Sequence, residues 1–258
     1  LYVSPERLTT PLFRTRVNDM QVNLLAVDEA HCISQWGYDF RPSYLEISKL
    51  REILKEVPVL ALTATATPEV CDDIQERLGF TRKNLFQTSF NRENLTYLVR
   101  YTENKASDLV RLILQEEGSG IVYVRSRRKS RHLSQLLDEK GVQATYYHAG
   151  LKHEERDERQ QGWLKDRFRI MVATNAFGMG IDKPDVRFVA HLDMPKTVES
   201  YYQETGRAGR DGLPSDAWMI YGLQDVESGG GMEFLTHRAA GKNVADTMNH
   251  PPFGTIRV

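Results

Sequence analysis

Short apolar runs separated by longer polar stretches set the rhythm of the chain. Asn23 to Val27, Pro58 to Leu62, Leu95 to Val99, Ile121 to Val124, Ala144 to Tyr147, Arg169 to Ala173, Val186 to His191 and Ala217 to Tyr221 read as strands, being too short and too uniformly apolar for helices. Helix-length segments lie between them. Pro68 to Leu78 has Thr67 as N-cap, Pro68 at the first helical position, Val70, Ile74 and Leu78 at helical spacing and Gly79 as a stop. Tyr44 to Val57 places Leu50, Ile53, Leu54 and Val57 on one face, and Arg127 to Lys140 turns Leu133, Leu136 and Leu137 inward before Gly141. Strand-helix alternation predicts an α/β fold with mainly parallel sheets. The polar stretch Gln87 to Asn94 separates the first strand-helix units from a new run of them, so two lobes are expected, 1–88 and 89–226. Leu1 itself reads as standing inside a strand. From Glu227 the pattern fails: SGGG at Ser228 to Gly231 and a Pro-Pro pair predict an irregular tail over 227–258.

Composition narrows the class of protein. With 40% hydrophobic and 27% charged residues, the 258-residue chain has the profile of a soluble globular protein, not a disordered or fibrous one. Its net charge of -1 means that any affinity for nucleic acid must come from local basic surface. Two cysteines, Cys32 and Cys71, are too few for a disulfide framework or a four-cysteine zinc site, and they fit a reducing, cytoplasmic setting. The chain holds neither a signal peptide nor an uninterrupted apolar run of roughly 18 residues, so no membrane role is expected.

The polar motifs share one structural address. DEAH (Asp28 to His31) follows the strand LLAV, TATAT (Thr63 to Thr67) follows VLAL, and TNAFGMG (Thr174 to Gly180) follows RIMVA. In open α/β sheets the loops beyond the carboxyl ends of strands offer unpaired N–H groups to ligands. An acidic pair at such a place suits a nucleoside triphosphatase: Asp28 to hold Mg2+, through water, and Glu29 to orient the attacking water. A solvated turn is the plain alternative for four residues alone. QETGRAGR, Gln203 to Arg210, adds Arg207 and Arg210 in a Gly-rich turn without apolar partners, an arrangement suited to phosphate oxygens or, more plainly, to an exposed basic loop. Because Asp28 belongs to the first lobe and Arg210 to the second, joint action on one nucleotide requires the lobes to close.

These blocks together resemble the RecQ helicases. DEAHCISQWGYDFRPSY (Asp28 to Tyr44) looks like that family's acidic box and aromatic-rich loop, ALTATAT like its third motif, and ATNAFGMGIDKPDVRFVAHLDMP followed by ESYYQETGRAGRDG like its fifth and sixth. The resemblance runs from about Leu1 to Asp225. It implies two RecA-like lobes, ATP and Mg2+ as cofactors, and a 3'-to-5' DNA-unwinding motor of recombination and repair. It also places Gln203, Gly180 and Asp182 toward the nucleotide, Asp182 alternatively at the lobe interface, and makes the aromatic loop a sensor of single-stranded DNA. The loop has a physical reading of its own. Trp36, Tyr38, Phe40 and Tyr44 stand among His31, Gln35 and Arg41, and a ring stacked on a base contributes about 1–3 kcal/mol without selecting sequence. Trp36 and Phe40 are the favoured stackers; Tyr44, opening a helix, is as well explained by the core. Further DNA contacts are expected from Ser4 and Arg7, Thr63 and Thr65, Ser126 and Arg127, His148, and Thr174 and Asn175. The run RSRRKSRH (Arg125 to His132) opens a helix with charges its dipole disfavours, which suits an anionic partner, while a solvated helical face accounts for at least half of those charges. His153, among acidic neighbours, reads as surface.

Some expected parts do not stand in this stretch. No GxxxxGKS/T phosphate loop is found, and the Gly241-Lys242 pair follows no strand and is followed by Asn243. In the family that loop lies upstream of the acidic box, so the first lobe is expected to be incomplete on its N-terminal side, with an exposed sheet edge and inactive alone. The family's four-cysteine zinc domain is likewise not in this chain. Two functions compete: an ATP-dependent RecQ-type helicase acting on single-stranded and duplex DNA, in cytoplasm, nucleoid or nucleus, and a non-hydrolysing nucleic-acid-binding module derived from one. An RNA helicase is disfavoured by the aromatic loop, and protein partners are not indicated.

Overall fold

The structure is a computed structural model that describes residues 1–37, 39–64, 66–88, 91–178 and 180–227. Two compact units divide the chain, the first covering Leu1–Phe90 and the second beginning at Asn91. The expectation of an irregular tail over 227–258 falls outside the described residues, apart from Glu227, which closes the last helix.

In the first unit, β1 (Leu25–Val27) and β2 (Val59–Ala61) form a parallel pair, with Leu25 opposite Val59 and Val27 opposite Ala61. Helices α1 (Pro11–Asn18), α2 (Leu45–Ile53) and α3 (Pro68–Arg77) surround a core that includes Val27, Ile33, Leu50, Ile74 and Leu78. The start of α3 follows its sequence signals: the Thr67 hydroxyl accepts the Val70 N–H at 3.4 Å, and Gly79 takes φ +67° just beyond the last turn. Two expectations fail here. Leu1 to Ser4 form no strand; Pro5, with its fixed φ, opens a 3-10 turn over Pro5–Thr9 instead, and Leu1 is exposed. Helix α2 stops at Ile53, short of Val57: Leu54 leaves helical geometry at φ -102°, ψ 47°, and the Arg51 guanidinium satisfies the carbonyl oxygens of Leu54 and Val57 that the helix no longer uses. Leu50 stays buried while Ile53 is exposed.

The second unit is a six-stranded sheet in the order β3-β8-β7-β4-β6-β5. Its strands are β3 (Leu95–Tyr101), β4 (Ser119–Tyr123), β5 (Ala144–Tyr147), β6 (Ile170–Ala173), β7 (Val186–His191) and β8 (Ser215–Tyr221), and every pairing is parallel. Helices α4 (Lys105–Gln115), α5 (Arg127–Glu139), α6 (His153–Leu164), α7 (Val198–Thr205) and α8 (Leu223–Glu227) connect and follow the strands. Each of the eight apolar runs seen in the sequence forms a strand, with ends moved by a residue or two, and α5 ends one residue before its expected stop. Two cores lie on opposite faces of the sheet. On β4, Val122 joins one core while Ile121 and Tyr123 join the other, the alternation that the pleat imposes. Strands β4 and β6 are buried along their whole length, which is why they read as unbroken apolar runs. Among the described residues, no helix is long and apolar enough to cross a membrane.

Gly120 is fixed by its neighbour across the sheet. A Cβ there would lie 2.2 Å from the tip of the Phe188 ring, and Phe188 in turn stacks on Trp218 with ring centroids 4.5 Å apart. Gly120→Ala is expected to destabilise the second unit by about 1–3 kcal/mol through overpacking. Phe188→Leu in the same chain should recover part of that loss. Urea unfolding of the two single variants and the double would read this; strictly additive losses would show that the ring is not what excludes a side chain.

Candidate functional site

In the first unit the site is built around a backbone that turns sharply after β1. Asp28 is exposed, and its Oδ1 accepts the Glu29 N–H at 2.9 Å. Glu29 stands in the left-handed region at φ 49°, ψ 44°, a conformation costing a non-glycine residue on the order of 1 kcal/mol. The turn is tied to β2 from both sides: Ala30 N–H donates to the Leu62 carbonyl and Leu62 N–H to the Val27 carbonyl, each at 2.9 Å. Behind it lies His31, 2% exposed, with Nδ1 at 2.9 Å from the Thr63 hydroxyl and 3.4 Å from Glu29 Oε2. Burial lowers the imidazole pKa; Asp39 opposes this and Arg41 adds to it.

The loop that follows closes on this histidine. Cys32 Sγ lies 3.6 Å from His31 Nε2 and 3.8 Å from Asp39 Oδ2. Arg41 donates from Nε and Nη2 to the same Asp39 oxygen, at 3.1 and 2.6 Å, and its backbone N–H returns to the Cys32 carbonyl at 2.9 Å. His31, Cys32 and Asp39 thus bring their donor atoms within 4.8 Å of one another. With Asp39 neutralised by a guanidinium and the Cys32 thiol pushed up to about 12 by burial, this is a hydrogen-bonded hinge and not a thiolate centre. Gly37 is required by the return of the loop, since a Cβ there would meet the His31 carbonyl at 2.7 Å.

The expected DNA-contacting residues of this unit separate by exposure. Trp36 is 78% exposed and Gln35 is exposed, whereas Phe40 and Arg41 are half-buried. Tyr44 packs against the core and donates to the Asp28 carbonyl at 3.3 Å, its phenol pushed up to about 12 by burial. Ser4, Arg7 and Thr63 are exposed. Tyr38 and Thr65 lie outside the described residues. His31 is the member whose placement departs from a direct contact: it is walled in.

In the second unit, Ser126 caps α5 by accepting the Lys129 N–H at 3.0 Å. The basic start of that helix has an anion of its own. Asp193 accepts the Arg125 N–H at 2.9 Å, pairs with the Lys129 ammonium and lies 3.6 Å from Lys105. The call for an external anionic partner is therefore answered in part from within. Thr174 is buried and Asn175 exposed, in a turn closed by the Phe177 N–H on the Thr174 carbonyl at 2.9 Å. Phe177 anchors that turn from the core, and the Tyr123 hydroxyl donates to its carbonyl at 2.8 Å. Gly180, at φ +76°, stands in open space. His148 is 6% exposed.

Two side chains, Arg92 and Asn94, grip the Gly-rich arginine turn. Arg92 Nη2 donates to the carbonyls of Ala208 and Gly209 at 3.1 and 2.6 Å, and Asn94 Nδ2 donates to those of Gly209 and Leu213 at 2.8 and 2.9 Å. Gly209, at φ +58°, leaves no room for a Cβ beside Asn94 and Ser215. His191 lies 2.7 Å from Glu204 and stacks on Tyr123 at 5.2 Å. Arg207 is buried to 6%, with Nη2 only 3.3 Å from where a Cβ on Gly178 would lie. Arg210 is exposed and donates to the Ile181 carbonyl at 3.1 Å and to Asp182 at 3.0 Å, so two residues expected near nucleotide pair with each other. Gln203 is half-buried on α7. Sequence reading missed Arg92, Asn94, Tyr123 and His191. Only Asn94, polar immediately before a strand, carried a local signal.

Comparison with known proteins gives this arrangement its family. Residues 1–74 match the DEAD/DEAH box helicases and residues 104–212 the helicase conserved C-terminal domain. Over 227 residues the chain is 48% identical to the ATP-dependent DNA helicase RecQ of Bacillus subtilis, and over 236 residues it is 46% identical to the RecQ-like DNA helicase BLM of Xenopus laevis. The chain belongs to the RecQ family. The two matches cover 87% and 88% of this chain but 38% and 17% of those relatives, so the chain spans under two fifths of their length. Among solved structures, the fold resembles the Mycobacterium smegmatis helicase Lhr bound to ssDNA and AMP-PNP (TM-score 0.68, 20% identity, 98% of this chain and 34% of that one). It also resembles Saccharomyces cerevisiae Dbp5 bound to RNA and ADP BeF3 (TM-score 0.66, 20% identity, 94% and 61%). At that identity the likeness concerns the RecA-like α/β fold alone.

Asp193 carries a testable consequence for the RecQ chain. Burial alone would raise its pKa, yet Lys129, the Arg125 N–H and Lys105 hold it below the usual carboxylate range. A carboxyl depressed in the folded state contributes stability that is complete above its unfolded value, near roughly 3.9, and is lost as pH falls through the folded value. Asp193→Asn should lower the urea midpoint at neutral pH and flatten its decline below about pH 4. Parallel pH profiles of variant and wild type would show that the network carries no linkage.

Proposed function

We propose that this chain carries the hydrolytic and DNA-gripping parts of an ATP-driven, 3'-to-5' DNA helicase that works in recombination and repair, wherever the cell keeps its DNA. The observation that carries the proposal is the placement of His31, with one ring nitrogen between Glu29 and Thr63 and the other against Cys32 of the aromatic loop.

Asp28, an exposed hard-oxygen donor at the carboxyl end of β1, fits an Mg2+ ion held through water. When bound, Mg2+ neutralises charge on the phosphates of ATP. Glu29 orients the attacking water, and the left-handed backbone at this residue holds its carboxylate beside His31. Trp36 stacks on a base, with Gln35, Phe40 and Arg41 beside it. Because Arg41 and Asp39 tie the loop to Cys32, and Cys32 touches His31, a shift of the loop on DNA reaches the carboxylate through a single buried ring. His31 therefore serves DNA as a connector, consistent with its burial. Ser4, Arg7, Thr63, Thr65, Ser126, Arg127 and Asn175 hold the sugar-phosphate backbone, contacts that are blind to sequence, as a translocating motor requires, while His148 and Thr174, buried at the strand ends, position the loops that carry such contacts. Gln203, Gly180 and Asp182 face the nucleotide.

We assign the arginine finger to Arg210. Its guanidinium is exposed and held by Asp182, a partner it can exchange for phosphate, whereas Arg207 is packed beneath the turn. In the full-length protein carrying this chain, Glu29→Gln is expected to abolish DNA-stimulated ATP hydrolysis while leaving single-stranded DNA affinity within about twofold, a change worth about 0.4 kcal/mol. Hydrolysis at the wild-type rate would remove the role given to Glu29. Comparison of two further variants tests the finger: Arg210→Ala should cost roughly a thousandfold in turnover with a normal unfolding midpoint. Arg207→Ala should lower the midpoint as well, and the reverse pattern would exchange the two assignments.

A further inference from the structure

The second unit holds a cluster of guanidinium groups only one of which, Arg127, is used above. Arg127 and Arg131 stand one turn apart on α5, and Arg156 and Arg159 lie three residues apart on α6. Tyr146 of β5 joins the two helices: the Arg159 guanidinium carbon lies 3.9 Å from the centre of its ring and that of Arg131 5.3 Å. Arg127 is laid over Gly150, where a Cβ would fall 2.7 Å from Nη1, so glycine is what lets the guanidinium reach that place. The imidazole of His148, whose ring lies 5.7 Å from that of Tyr146, is held below its ordinary pKa by burial and then by Arg127, Arg131 and Arg159.

Among the described residues, no carboxylate pairs with this charge. Among the described residues, none of these four arginines makes a salt bridge, although Arg14, Arg41, Arg77, Arg100, Arg111, Arg187 and Arg210 all do. The acids of α6 are committed elsewhere. Glu155 accepts the Lys152 N–H at 3.1 Å and Asp157 pairs with His153 at 2.7 Å, while Glu154 and Glu158 project from the side of the helix opposite Arg156 and Arg159 by helical geometry. Within the cluster, Arg159 donates to the Thr145 hydroxyl at 3.1 Å, yet the Nε atoms of Arg156 and Arg159 are both buried without a hydrogen-bond partner. Two guanidinium groups share the Tyr146 ring, with Arg127 laid over Gly150 nearby and Arg156 one turn before Arg159 on α6; such like charges raise one another's energy, and unpaired buried donors add to the cost. An anion relieves both.

We propose that Arg131 and Arg159, floored by Tyr146, together with Arg156 one turn before Arg159 on α6, form a phosphate track that continues the path of single-stranded DNA beyond Ser126 and Arg127. The proposal rests on the reading of this chain as a DNA motor and names the surface over which the strand runs. A chain of phosphates fits better than one phosphate, because the charges are spread along two helices and not converged on a point. Arginine suits the task, offering forked donors to phosphate and a flat face to the ring. In the full chain, the affinity for a fluorescein-labelled oligothymidylate is measured by anisotropy over a range of salt concentrations. Each phosphate contact removed should lower the slope of log K against log salt by about 0.7. Arg131→Gln with Arg159→Gln is expected to lower it by about 1.4 and to weaken binding severalfold at low salt. Arg131→Gln alone, on an exposed residue that threatens no packing, should give half that slope change. The control is Arg100→Gln with Arg111→Gln, which removes the same charge from arginines paired with Asp108 and should leave the slope intact. A wild-type slope in the first double variant, or an equal fall in the control, overturns the track while leaving the motor reading untouched. A wild-type chain that binds no oligonucleotide overturns the motor reading, and the track with it.

Discussion

Parallel pairing constrains everything else in this molecule. Parallel strands point the same way, and strands covered on both faces can carry only apolar side chains between their ends. In the second unit β4 and β6 are buried throughout, so polar chemistry is confined to the loops where strands end. Ser126, His148, Thr174 and Asp193 all follow strands of that sheet. The first unit repeats the rule at small scale, with Asp28 after β1 and Thr63 after β2. Because those two strands are hydrogen-bonded neighbours, His31 needs no long reach to touch the second loop from the first.

Much of this was legible in the chain. The eight strands announced themselves because burial on both faces leaves an uninterrupted apolar run, and α3 because Thr67, Pro68 and Gly79 act locally. What stayed hidden lay in contacts that no residue pattern announces. The early end of α2 is accompanied by a guanidinium that folds forward over the residues after the helix. The answer to the basic start of α5 is Asp193, more than 60 positions away by number and reachable only once β4 and β7 are neighbours. Within the site, residue types and spacing named the carboxylates and the arginines. They were silent on burial, which separates Arg207 from Arg210 and walls His31 in behind Glu29.

The two units handle polar burial differently. In the second, Tyr123, His191 and Glu204 run a line of contacts from the Phe177 turn to the helix that leads into the Gly-rich arginine turn. That line joins the loop after β6 to the loop before β8 through the protein interior. In the first, the corresponding line is shorter and passes through His31 and Cys32. Both place a ring between a backbone turn and a charged group, and a ring moves as one body.

Glu29 sets chemistry against chain preference at a single position. Its left-handed backbone suits glycine or asparagine better than glutamate, so replacement by either of those two relaxes the turn. A library of this sequence sorted for thermal endurance would therefore enrich glycine and asparagine at position 29, and with them the loss of the carboxylate. Ancestral or consensus redesign guided by stability would have to hold that residue fixed by decree.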